Sequence, residues 1–142
     1  MSSALNIVRT FRVKGEHGFE VVFDCPEFVD GWLEWYRMAF SAPDLKVARM
    51  VGNPGYGHPP SVLFEDVAQN WSGWIGVKSW TAMEGECRLS ATSDSTGHVT
   101  FQFEISRVEQ PQSWSTQVSV VVEAGQLERL AAEAHEFFDQ RV

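Results

Sequence analysis

The sequence predicts an α+β protein, an antiparallel sheet of about seven strands with two helices in the order ββββ-α-βββ-α. Three observations lead there. Apolar residues alternate over several short stretches, which is the period of a half-buried strand. Two stretches instead repeat at three and four residues, the period of an amphipathic helix. The connections are short, and nothing alternates strand with helix as a parallel sheet requires.

Leu5 to Val13 places Leu5, Ile7, Phe11 and Val13 on one face of an extended chain. Lys14 to Gly18 supplies turn residues, and Phe19, Val21 and Phe23 then alternate with more polar neighbours to close a hairpin. A second pair follows. Trp32 to Phe40 is rich in aromatics and reads as a strand, Ser41 to Asp44 turns around Pro43, and Leu45 to Val51 alternates through Val47. A helix over Asp30 to Phe40 is the rival reading, because Leu33, Tyr36 and Phe40 also fit a 3.6-residue period.

Gly52 to Pro60 holds three glycines and three prolines in nine residues and is a loop. Ser61 is placed to cap a helix whose Leu63, Phe64, Val67 and Trp71 share a face. Gly73 to Gly85 reads as irregular chain. The clearest pattern comes next: Cys87, Leu89 and Ala91, a turn over Asp94 to Gly97, then Val99, Phe101, Phe103 and Ile105. Trp114 to Glu123 adds a strand through Val118, Val120 and Val122, and Gln126 to Gln140 forms a closing helix with Leu127, Leu130, Ala134, Phe137 and Phe138 inward.

Composition narrows the function. In 142 residues, 19 acids against 11 lysines and arginines leave a formal charge of −8, and 44% of the chain is hydrophobic. That composition is too apolar for disorder, and no apolar run reaches the roughly 18 residues of a membrane helix. A single globular domain without a leader segment, in the cytoplasm, is the expectation. Cys25 and Cys87 lack the paired spacing of a zinc knuckle or redox motif and are expected to be buried thiols. The scattered basic residues exclude direct nucleic-acid binding of the phosphate-contacting kind.

Several catalytic readings fail on their residues. Gly52 and Gly57 have the spacing of a phosphate loop, but His58 and Pro59 stand where its lysine and hydroxyl belong. Ser72 lacks the first glycine of a nucleophile elbow. His135 and Asp139, with Glu136 between them, imitate a metalloprotease helix, but Asp139 lies where a helix end frays and an ordinary solvated polar face is much the stronger explanation. A ligand or metal site from His58, Glu65, Asp66 and His98 requires that folding bring them together. No cofactor is implied.

One segment stands out. Between Gly15 and Tyr36 lie six acids and no lysine or arginine, interleaved with indoles. Glu20, Asp24, Glu27, Asp30, Trp32, Glu34 and Trp35 are therefore the expected partner-binding residues, carboxylates steering a basic protein and rings anchoring it. An immunity protein neutralising a bacterial toxin fits this description. A small-ligand or metal-dependent enzyme and a structural subunit of a larger assembly are the alternatives. The expectation requires Trp32 and Trp35 to face water rather than the core.

The run WSGWIGVKSWTAMEGECRL over Trp71 to Leu89, then ATSDSTGHVTFQFEI, then Trp114, Glu123 to Gly125, Leu127, Leu130 and Ala131, resembles a family of small bacterial proteins of unknown function. Its G-W-x-G-x-[KR]-x-W segment is met here by Gly73, Trp74, Gly76, Lys78 and Trp80. The resemblance covers roughly Phe64 to Phe138. It implies an α+β fold and a bacterial origin, and carries no catalytic residues.

Overall fold

The computed structural model describes residues 10–53 and 58–140. Leu5 to Arg9 of the first expected strand, and residues 54–57 of the glycine-proline loop, lie outside them.

The first half is a meander of four strands, β1 (Phe11–Lys14), β2 (Glu20–Val29), β3 (Trp32–Ala42) and β4 (Leu45–Gly52), each antiparallel to the next. Asp30 to Phe40 is thus mostly strand, and its helical rival is set aside. β2 and β3 are joined by the two residues Asp30 and Gly31, both at positive φ (52° and 86°), the conformation that lets a two-residue turn follow the twist of its strands. Helix α1 (Ser61–Gln69) follows. The second half is β5 (Lys78–Thr81), β6 (Cys87–Ser93), β7 (His98–Arg107) and β8 (Trp114–Glu123), again a meander, closed by a 3₁₀ turn over Ala124–Gln126 and helix α2 (Leu127–Phe138).

The expected single sheet of about seven strands is therefore two sheets of four, in the order ββββ-α-ββββ-α. The eighth strand is Lys78–Thr81, within the stretch expected to be irregular. Its two less exposed positions are Lys78 and Trp80, so a single apolar residue marks the inward face and no apolar alternation shows in the sequence. Periodicity also says nothing about lateral partners: α1 intervenes between β4 and β5, and no ladder joins them.

The two sheets and both helices share one core. Phe23 of β2 meets Phe103 of β7 with ring centroids 6.3 Å apart. Phe138 of α2 packs edge-on against Tyr36 and Phe23, both at 5.2 Å, and Phe64 of α1 packs edge-on against Phe11 at 5.2 Å. Such pairs add to stability beyond the area they bury.

Three local expectations are corrected. Ser61 does not cap α1. Pro60 occupies the cap position, and the buried Ser61 hydroxyl instead donates to Asp139, at 3.1 Å from Oδ2, tying α1 to the end of α2. Trp71 lies beyond the helix end and is exposed, because the chain turns away at Asn70. Cys25 is exposed while Cys87 is buried, and both are free. Cys25 has φ 50° in the irregular stretch between Asp24 and Glu27, where β2 has one residue more than β3 and its side-chain alternation slips. Among the described residues no helix is long and apolar enough to cross a membrane.

Candidate functional site: the outer end of the β2–β3 hairpin

Residues paired across an antiparallel ladder share a face. Val29 pairs with Trp32 and Glu27 with Trp35, so two indoles, a valine and a carboxylate stand together at the turn end of the hairpin. All three apolar members face water: Val29 is 50% exposed, Trp32 46% and Trp35 42%. Their outward direction follows from the ladder. Tyr36, Met38 and Phe40 point into the core, which leaves Trp35 on the opposite face. A second irregularity, between Glu27 and Phe28, puts the extra residue Glu34 in β3 and lets Leu33 turn inward while Trp32 stays outside. The Trp35 ring lies against the neighbouring strand, 3.5 Å from where a Cβ on Gly52 would stand.

Asn53 supports this end of the hairpin from below. Its backbone N–H donates to the Glu34 carbonyl at 2.8 Å, and its buried side-chain amide donates to the Leu33 carbonyl at 3.1 Å and the Phe138 carbonyl at 3.4 Å. Nothing in the spacing of the sequence marked Asn53, since its partners are 20 and 85 residues away.

The seven expected partner-binding residues divide into two groups. Glu27, Asp30 and Glu34 surround the indoles, and none has an ion-pair partner among the described residues. Glu20 and Asp24 lie further along β2 and are engaged. Arg12 donates to Glu20 at 2.5 Å, and Arg37 embraces Asp24 through two bonds of 2.8 and 2.7 Å. That fork holds the Asp24 carboxyl below its ordinary range, by the hydrogen bonds from Arg37 before all else, and raises the Arg37 guanidinium. Of these five acids, the three without an ion-pair partner among the described residues are therefore the ones at the turn end of the hairpin.

His58, Glu65, Asp66 and His98 are each engaged separately. Asp66 accepts from Lys78 Nζ at 3.0 and 3.1 Å. His98 Nδ1 lies 2.9 Å from Thr96 Oγ1 and 3.6 Å from Asp94, whose carboxyl is lowered by the backbone amides of His98 and Thr96. His58 is exposed, and its carbonyl accepts from the Trp80 indole.

Glu65 instead approaches His135, its Oε1 at 3.5 Å from Nδ1, while Asp139 Oδ2 is 2.6 Å from the same nitrogen. Among the described residues these three are the group able to hold a metal ion, with ligand atoms within 4.8 Å of one another. One imidazole and two carboxylates suit a divalent cation, but all three are exposed and already pair among themselves. The sequence suggested His135 and Asp139 as a pair and missed Glu65, which arrives from the other helix. Glu136, the base of that reading, points elsewhere and lines a cleft of about 760 Å³ with Arg12, Lys14 and Arg129.

Comparison with known families decides the relationship that the Gly73 to Trp80 motif suggested. Residues 12–141 match the family of unknown function designated DUF6228. The chain belongs to this family. The match reaches well beyond Phe64 to Phe138 and includes β2 and β3, so the hairpin with its indoles lies within the DUF6228 region. No curated protein and no solved structure matches the chain.

Proposed function

We propose that this DUF6228 protein is a non-enzymatic, acidic protein-binding domain whose β2–β3 hairpin covers a basic surface on another protein, as an immunity protein covers its cognate toxin. One observation carries the reading: Trp32 and Trp35 stand exposed on a common face among Glu27, Asp30 and Glu34, three carboxylates that no described cation neutralises. Large exposed rings lose water when covered and supply most of the binding energy, while the surrounding charge accelerates encounter and selects a cationic mate. A formal charge of −8 strengthens that steering.

The test begins with capture of the partner from the native host, with attention to products of adjacent genes, and continues with purified components. Trp32→Ala and Trp35→Ala are each expected to weaken binding by about 2 kcal/mol or more, the scale of an interface anchor. Both positions are exposed, so the fold should persist. Full affinity in the double variant would refute the hairpin as the docking surface.

A further inference from the structure

A carboxylate taken out of water is costly unless a cation or a full set of donors receives it. Glu86, at the end of the turn between β5 and β6, is only 8% exposed. Its Oε2 accepts from the backbone N–H of Gly52 at 3.1 Å, and its buried Oε1 has no partner among the described residues. No ion pair among those residues includes it. Arg49, on the same strand as Gly52, donates instead to the carbonyls of Met50 and Ser106. The space beside this carboxylate is open at Gly52, which pairs with Trp35 across the β3–β4 ladder and is half-buried. A Cβ on Gly52 would stand 3.8 Å from Glu86 Oε2 and 3.5 and 3.7 Å from two carbons of the Trp35 ring. With no side chain at that position, the exposed indole and the buried carboxylate border one opening.

We propose that this opening receives an arginine side chain of the partner protein, its guanidinium stacked on the Trp35 indole and bonded to the Glu86 carboxylate. The inference rests on the hairpin being the docking surface proposed above. Charge, shape and bonding select the occupant. Glu86 lacks a cation, and Glu27, paired with Trp35 on the opposite side of the ring, is a second carboxylate without one. A guanidinium is flat and weakly hydrated, so it lies on an indole face, whereas a lysine ammonium holds its water and presents no plane. Its forked donors match a carboxylate, and Glu86 Oε1 is the acceptor left over for them. Glu86 is already stripped of most of its water, so pairing costs little further desolvation on this side of the interface.

The probe is N-acetyl-arginine amide, titrated into the full chain at constant ionic strength and followed by heteronuclear NMR. Saturable shifts of the Trp35 indole N–H and the Gly52 amide are expected, with a dissociation constant on the order of millimolar, the scale of a single side chain. N-acetyl-citrulline amide, which has the same shape without the charge, should bind about tenfold more weakly, and N-acetyl-lysine amide should also bind more weakly than the arginine probe. Gly52→Ala fills the opening with a methyl at ordinary contact distances, and Glu86→Gln keeps an acceptor for the Gly52 amide, so both should fold as the parent does. Each should weaken the arginine response about tenfold. No saturable response, an equal response to citrulline or lysine, or an undiminished response in either variant overturns the proposal. The captured partner separates this inference from the reading beneath it. Full affinity of Glu86→Gln alongside losses in Trp32→Ala and Trp35→Ala overturns the arginine pocket and keeps the docking surface. Full affinity of the double tryptophan variant refutes the docking surface and the pocket with it, whatever the free amide does.

Discussion

The side-chain amide of Asn53 donates to the carbonyl of Leu33 at 3.1 Å, and this buried bond joins the residue after β4 to the part of β3 that carries both exposed indoles. Burial makes the bond costly to lose, because water cannot replace the donor. Asn53→Ala should therefore destabilise the protein by roughly 1–3 kcal/mol, the cost of a buried acceptor left unmade. Asn53→Asp should cost more, since it removes the donor and introduces a charge into the same space. Urea denaturation of the three proteins checks the ranking, and equal stability would mean the bond contributes nothing.

Tyr36 presents the opposite case. Its ring is completely buried against Phe23 and Phe138, while its hydroxyl finds no hydrogen-bond partner among the described residues. Burial pushes the phenol well above its ordinary pKa. Tyr36→Phe keeps the ring and removes an unsatisfied polar atom, and is expected to leave stability unchanged or raise it by about 1 kcal/mol. Thermal unfolding checks this, and a clear loss would reveal a hydrogen bond made by that hydroxyl in solution.

The residues explain how much of this was legible beforehand. Alternation marked β6 and β7 because Cys87, Leu89, Phe101 and Phe103 contact the core at every second position. It marked the first-half strands too, but could not reveal that β4 and β5 belong to different sheets, since lateral pairing leaves no period in the chain. The acid-rich segment located the hairpin by composition. The division of its acids into paired and unpaired groups depends on Arg12 and Arg37 arriving from neighbouring strands. The exposure of Trp32 and Trp35 depends on extra residues in β2 and β3, which shift the alternation at positions no pattern announces. Glu65 reaching His135 across two helices, 70 residues apart in the chain, is a purely tertiary event.

The two thiols should behave differently. Cys25 is exposed at the irregularity in β2, whereas Cys87 is sealed in the core with its Sγ 3.3 Å from the Met38 sulfur. Burial raises the Cys87 thiol far above its ordinary value, and partial desolvation followed by the nearby Asp24 charge raises Cys25 more modestly. A thiol-specific reagent at neutral pH is expected to modify one equivalent in the native protein, slowly because little thiolate is present, and two equivalents in denaturant. Cys25→Ser should abolish the native reaction. Rapid modification of both thiols without denaturant would contradict the packing around Cys87.

Stability should also respond to acid through the Asp24–Arg37 pair. The Asp24 carboxyl is lowered in the folded chain, foremost by its hydrogen bonds from Arg37 and also by the guanidinium charge, from an ordinary value of 3.8. A depressed carboxyl favours the folded state above that ordinary value, and the contribution disappears as pH falls through the folded value, where both states take up the proton. The pair is partly solvated, so its contribution at neutral pH is about 1 kcal/mol or less. Asp24→Asn should therefore be less stable than the parent at pH 7 and approach it as the solution is acidified below about pH 4. Arg37→Gln should show the same convergence. Urea midpoints measured at both ends of that range check the prediction, and a gap that persists in strong acid would assign the loss to side-chain packing rather than to charge.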